Sequence, residues 1–266
     1  MRHHNSVFNE LLKPMERRSF DAIVGRHGGD RYVKIMSTWT QLTAMIFAQL
    51  SPADSLRAVA AGWNANAHFH YHLGAGHVCR STLADANRLR SPQIFADAFT
   101  HLSGLCDRQF RREGGDVVRL IDSSPIPVSE LCKWAKWNGR TKGLKLHVVF
   151  DPEIDHPRLA EITSANVNDV SVGRDCPLEP GATYVFDKAY ADYAWWTRMH
   201  EAGCWFVTRP KNNVRFDVIE TTPMNIDDDG FSVLEDARVR HRTASHKTLA
   251  FDVRRSLFVA IATTGA

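Results

Sequence analysis

Cysteine is scarce and scattered: Cys79, Cys106, Cys132, Cys176 and Cys204 are the five in the chain, and no two form a Cys-x-x-Cys pair. That spacing excludes a zinc ribbon and offers no disulfide framework, so a reducing, cytoplasmic setting is expected. Long apolar runs are missing too. No stretch of about 18 apolar residues suggests a membrane span, and the opening Met1-Arg2-His3-His4-Asn5-Ser6 lacks the apolar core of a signal peptide. An excess of one charge is also absent, the formal net charge being +3 over 266 residues. Such a balance permits a nucleic-acid partner without demanding one. What is left is the composition of an ordinary folded chain, long enough to bury a substantial core and to form two units.

The most informative stretch is Val117-Val118-Arg119-Leu120-Ile121-Asp122-Ser123-Ser124-Pro125-Ile126-Pro127-Val128. A run of Val, Leu and Ile bounded by Ser and Pro reads as a buried strand. Because proline cannot join a central ladder, the strand is expected to stop where Asp122 sits. An isolated strand-end Asp is most often a turn cap, so Asp122 needs a partner. One is available in Ala182-Thr183-Tyr184-Val185-Phe186-Asp187-Lys188-Ala189-Tyr190, a second short strand delivering an acid at its end, followed by a helical Asp192–Met199. Two carboxylates at one strand mouth repel unless a cation lies between them. The pair therefore points to Mg²⁺ or Mn²⁺, which favour oxygen ligands and serve phosphoryl chemistry.

Upstream the chain reads as helical. Val7, Phe8, Leu11 and Leu12 share a face, Phe20, Ile23 and Val24 continue it, and His27-Gly28-Gly29 is a break. Ser37 to Leu50 is an apolar helix, and Ser51-Pro52-Ala53-Asp54 is expected to open the next with Ser51 as its cap. His68, His70 and His72 invite a metal reading, but without a fourth ligand, exposed or hydrogen-bonded loop histidines are the better expectation. Two more helices follow, Ser81–Leu89 and one opened by Ser91. Arg80, Arg88 and Arg90, with Arg108, Arg111 and Arg112, could meet DNA phosphates, although scattered arginines are commonly a solvated face. Beyond Asp122, Lys145–Phe150 and Pro157–Ala165 are strands, Asn168-Asp169-Val170 opens a short helix, and Gly203–Pro210 is one more strand.

In that order these residues resemble the IS4 group of insertion-sequence DDE transposases. The likeness is carried by Ile121-Asp122-Ser123-Ser124, Lys142-Gly143-Leu144-Lys145-Leu146-His147, Asn166-Val167-Asn168-Asp169, Phe186-Asp187-Lys188-Ala189-Tyr190 and Phe206-Val207-Thr208-Arg209. It implies an α/β fold: an N-terminal all-helical module, then a ribonuclease-H-like mixed sheet that ends inside a partial β-rich insertion. The corresponding segments are 1–75 (helical domain), 76–115 (helical connector), 116–213 (catalytic core, incomplete) and 214–266 (partial β insertion and aberrant tail). It also implies that Asp122 and Asp187 are the first two metal-binding, catalytic acids and that Tyr190 is the tyrosine near the second. Lys142 and Lys145 join Arg80, Arg88 and Arg90 as candidate DNA contacts.

The family's third acid belongs to a Tyr-x-x-Arg-x-x-x-Glu signature, and none follows Asp187; Glu220 and Glu235 lie too early. Val214–Val259, with β-like runs such as Thr248–Val253, looks like the start of the insertion, and the tail from Ser256 does not continue its charged pattern. The expectation is therefore a transposase shortened before its third carboxylate, needing Mg²⁺ or Mn²⁺ and acting on transposon terminal repeats and target DNA as a homo-oligomer. Its alternative is a DNA-binding or oligomerising fragment without catalysis that competes with the full-length enzyme. A metal-dependent nuclease of the same sheet class is a third reading.

Overall fold

The computed structural model describes residues 7–109, 117–128, 136–137, 142–212, 214–222, 231–242, 249 and 251–260. Contacts divide the chain into two units, Met1–Arg111 and Arg112–Ala266. Cys132, Arg111, Arg112 and the tail from 261 lie outside the described residues.

The first unit is helical: α1 (Val7–Leu12), α2 (Arg17–Arg26), α3 (Thr38–Leu50), α4 (Leu56–Ala65), α5 (Ala67–Leu73), α6 (Arg80–Leu89) and α7 (Gln93–Gln109). Side-chain caps set two of the starts. Ser37 Oγ accepts from Thr40 N at 3.2 Å and opens α3, and Ser55 Oγ accepts from Ala58 N at 3.2 Å and opens α4. Ser51 does not cap α4; it ends α3 in an extended conformation with ψ 157°. Pro52 is the reason, because the residue before a proline is pushed out of the helical region, so the helix restarts only at Ser55. One apolar cluster joins Phe20, Ile23 and Val24 to Trp39, Ile94 and Ala98. Another joins Leu12, Val59, Trp63 and Leu73 to Leu83 and Ala86. Thus α6 and α7, expected as a connector, share the cores of the preceding helices.

The three histidines stand on α5, a helix rather than a loop. A step of about 100° per residue turns His70 away from His68 and His72. His70 is buried, its ring stacked on Trp63 at 4.5 Å and its Nε2 3.0 Å from Trp63 O. No group of three metal-ligating side chains forms among the described residues.

The second unit runs β1 (Val117–Pro127), β2 (Lys136–Trp137), β3 (Lys142–Asp151), β4 (His156–Ser164), α8 (Asp169–Asp175), β5 (Ala182–Phe186), a 3₁₀ turn at Lys188–Tyr190, α9 (Tyr193–Glu201), β6 (Trp205–Thr208), β7 (Arg215–Thr221), β8 (Phe231–Arg242) and β9 (Val253–Ala260). The main sheet has the order β3-β1-β5-β6, with β2 and β4 both paired to β3. β1, β3 and β4 pair antiparallel, whereas β1, β5 and β6 pair parallel. This is the mixed, ribonuclease-H-like arrangement expected from the element order.

The prolines do not end β1 at Asp122. The strand continues to Pro127↔Gly143 against β3, while its pairing with β5 stops at Ile121↔Phe186. Val128 N donates to Lys142 O at 3.1 Å. By alternation, Pro125 and Pro127 turn their donor-less nitrogens to the other edge, which β5 no longer covers. Gly143 is required here, since a Cβ on it would lie 2.1 Å from Ile126 O.

Behind β5, the aromatic side chains of Phe186, Tyr190, Trp195 and Trp196 form the centre of the core with Tyr184 and Met199. β7, β8 and β9 make a separate antiparallel sheet. Of the strand expected at Thr248–Val253, Thr248 and Ala250 lie outside the described residues; β9 starts at Val253, and Ser256–Ala260, expected as an aberrant tail, continues it in register with β8 from Ser256↔Asp236 to Ala260↔Phe231.

Candidate active site

The parallel register brings the two strand-end acids together. Ile121 lies opposite Phe186 as the last pair of the β1–β5 ladder, so the next residues, Asp122 and Asp187, leave it side by side. Ile121 and Phe186 both enter the core, and the period of two sends the residue after each the other way. Asp122 is exposed, and its carboxylate makes no hydrogen bond among the described residues. Asp187 caps the following turn, its Oδ1 accepting from Ala189 N at 2.8 Å, which leaves its second oxygen. Mg²⁺ is commonly held by one or two carboxylates, with water and substrate phosphate completing its shell. An adjacent, oxygen-only, solvent-facing pair fits that pattern, although the pair has no third ligand beside it among the described residues.

Beneath Asp122 lies a third carboxylate that spacing along the chain did not single out. Asp169, at the start of α8, accepts at Oδ1 from Ser123 Oγ (2.9 Å) and Lys145 Nζ (2.8 Å). Lys145 Nζ also donates to Val167 O at 3.0 Å. His147, directly across β3 from Ser123, is 2 % exposed. Its Nε2 is 2.9 Å from Thr163 Oγ1, and its Nδ1 is 3.7 Å from Asp169 Oδ1, too far for a hydrogen bond. Burial holds the imidazole pKa below its ordinary value; Lys145 acts the same way, Asp169 and Glu161 against it.

Tyr190 is buried on the 3₁₀ turn after Asp187. Burial drives its pKa well above that of an ordinary phenol, and the charges of Asp169, Asp122 and Asp187 add to the rise. No partner meets hydrogen-bond geometry with its Oη among the described residues, although the Ser123 hydroxyl is close enough to oppose the rise. A neutral phenol is thus held near all three carboxylates.

The expected DNA contacts divide. Arg80 is exposed at the start of α6, and Arg88 is exposed and paired with Asp85 at 3.0 Å. Arg90 and Lys145 are turned inward, Arg90 onto Gln41 at 2.8 Å and Lys145 onto Asp169. Lys142 is half-buried at the head of β3. The sign that could have revealed the Asp169 cluster is Lys145 and His147 two apart on a strand, hence on one face, followed by the Asn168 cap that fixes Asp169. What the sequence lacked was any indication of which acid they meet.

Comparison with known proteins agrees with this layout. Residues 3–76 match a domain of unknown function, DUF4372. A protein of Sinorhizobium fredii named as the transposase y4zB is 51% identical over 174 residues, 65% of this chain and 49% of that protein. A protein of Geobacillus stearothermophilus named as a transposase for insertion sequence element IS5377 is 31% identical over 112 residues, 41% of this chain and 29% of that protein. The chain thus spans half or less of the length of these relatives. Residues 113–259, which hold both strand-end acids and the Asp169 cluster, match the family described as Transposase DDE domain, and the chain belongs to that family.

Proposed function

We propose that the chain acts in insertion-sequence transposition, cutting DNA at the element's ends and joining the freed 3′ hydroxyl to a target. The carrying observation is the register that sets Asp122 beside Asp187 where the parallel pairing of β1 and β5 ends. Both carboxylates would hold Mg²⁺ or Mn²⁺. When bound, the metal supplies charge stabilisation at phosphorus and an activated attacking oxygen. Asp187, fixed by its bond from Ala189 N, presents one oxygen at a constant angle. Tyr190, kept neutral, adds no negative charge beside the acids and can donate a hydrogen bond. The ordered motifs from Ile121 to Arg209 favour the IS4 group in particular, acting as a homo-oligomer on paired ends.

Asp122 and Asp187 have no third ligand beside them among the described residues, and two carboxylates by themselves would hold a metal loosely. The same observation favours a second reading, a DNA-binding fragment that competes with longer transposases. A nicking and strand-transfer assay with Mn²⁺ on DNA carrying the element's terminal repeats separates the two. The chain, Asp122→Ala, Asp187→Ala and a version extended through a Tyr-x-x-Arg-x-x-x-Glu segment would be compared. Activity that is restored by extension and abolished by either alanine supports a transposase. End-specific binding with no cleavage in any form selects the competitor.

A further inference from the structure

The loop joining α2 to α3, Gly28 to Met36, is locked from inside and decorated outside. Arg90, its side chain 8% exposed, donates from Nε to Gly29 O at 3.2 Å, from Nη1 to Gln41 Oε1 at 2.8 Å, and from Nη2 to Asp30 Oδ1 at 3.3 Å and to Met36 O. Both ends of the loop therefore hang on one guanidinium. Asp30, the loop's single acid, also accepts from Thr38 N and Thr38 Oγ1, each at 2.7 Å. Its charge is answered internally.

The residues between face water. Tyr32 is 86% and Ile35 83% exposed, and Arg31 and Lys34 are exposed beside them. Tyr32 has φ +62°, a left-handed conformation costly for a bulky residue and retained only where the surroundings impose it. The Arg31 guanidinium lies 5.1 Å over the Tyr32 ring. No carboxylate pairs with Arg31 or Lys34 among the described residues. Asp85, in the same open groove, is paired with Arg88, and Asp97 with Arg26 and His27.

Folding gains nothing from holding an aromatic and an aliphatic side chain in water on a strained, clamped turn; a ligand would. We propose that this loop is a duplex-DNA contact, Arg31 and Lys34 meeting phosphates while Tyr32 and Ile35 enter the minor groove as apolar wedges. Two unanswered cations flanking the wedges select DNA over a second copy of the loop, since an isologous contact would set like charges against each other. The assignment rests on the reading that the chain acts on DNA.

The test is fluorescence anisotropy of the full chain with a labelled random-sequence duplex over a salt series, beside thermal melts. Arg31→Ala with Lys34→Ala should flatten the slope of log K against log salt by about 1.8, roughly 0.9 for each phosphate no longer neutralised. Tyr32→Gly should weaken binding roughly tenfold, as expected when one base-contacting ring is removed. Its melting temperature should stay level or rise, because glycine is at ease at positive φ. Ile162→Ala, an exposed position on β4 of the second unit, should bind as the parent does. Binding by the parent that neither loop variant alters overturns the loop assignment while leaving the DNA reading intact. No duplex binding by the parent overturns both. Self-association in sedimentation that Tyr32→Gly abolishes without changing DNA affinity makes the loop an interface between copies, and also overturns the assignment.

Discussion

Asp169 takes a proton donor from each of two strands, Ser123 beside Asp122 on β1 and Lys145 on β3, so its charge is committed to holding the sheet end together. Removing it leaves a largely buried ammonium unanswered. Asp169→Ala is expected to cost about 3 kcal/mol, the low end for breaking a buried pair because Lys145 keeps slight solvent access. Asp169→Asn, which keeps an acceptor, should cost clearly less; urea unfolding of both at neutral pH checks this. His147 adds a pH dependence of known sign. Its folded pKa lies below the unfolded value because burial disfavours the imidazolium, so the unfolded chain takes up the proton first as acid is added. The contribution is complete above the unfolded pKa of about 6.5 and is lost as pH falls through the folded value. Urea midpoints measured on either side of that pH should fall more for the parent than for His147→Gln.

At the level of elements, two serines four residues apart compete to start α4. Ser55 bonds the Ala58 amide, whereas Ser51 is held extended before Pro52. Ser55→Ala should therefore cost about 1 kcal/mol and Ser51→Ala within about 0.5 kcal/mol, as thermal melts can show. A general cap-plus-proline pattern pointed to Ser51; geometry at the proline decided for Ser55. In the sheet, Gly143 allows β3 to approach Ile126 of β1. Gly143→Ala must push the two backbones apart, for a loss of about 1–3 kcal/mol. The displacement falls on the stretch of β1 just past Asp122, so affinity for Mn²⁺, read by titration calorimetry, should weaken as well. That strand was legible from its Val and Ile residues, but its length was not. Proline forbids a two-sided ladder, and here the strand has one neighbour.

At the scale of the whole molecule, the helical half holds its own cores around Trp63 and Phe20, and its contacts close at Arg111. A fragment of residues 1–111 is expected to melt cooperatively, with near-ultraviolet circular dichroism from Trp39 and Trp63. A non-cooperative melt would show that those cores need the second unit. No helix among the described residues is long and apolar enough to cross a membrane, in keeping with the lack of long apolar runs in the sequence.

What the sequence determined by itself is local. The helical faces of Phe20, Ile23 and Val24, the apolar helix from Ser37 to Leu50, and the strands that carry Asp122 and Asp187 follow from periodicities of 3.6 and 2 and from turn chemistry, which act over a few residues. Tertiary structure alone decided what lies across space: that Ile121 pairs with Phe186 rather than with a neighbour one step along, that Lys145 and Ser123 meet Asp169, and that Arg90 is turned inward to clamp the loop before α3. Register and charge pairing are chosen by which distant surfaces bury together. Because one residue of slip would turn every strand side chain to the other face, the buried Ile121 and Phe186 also set where the two carboxylates point.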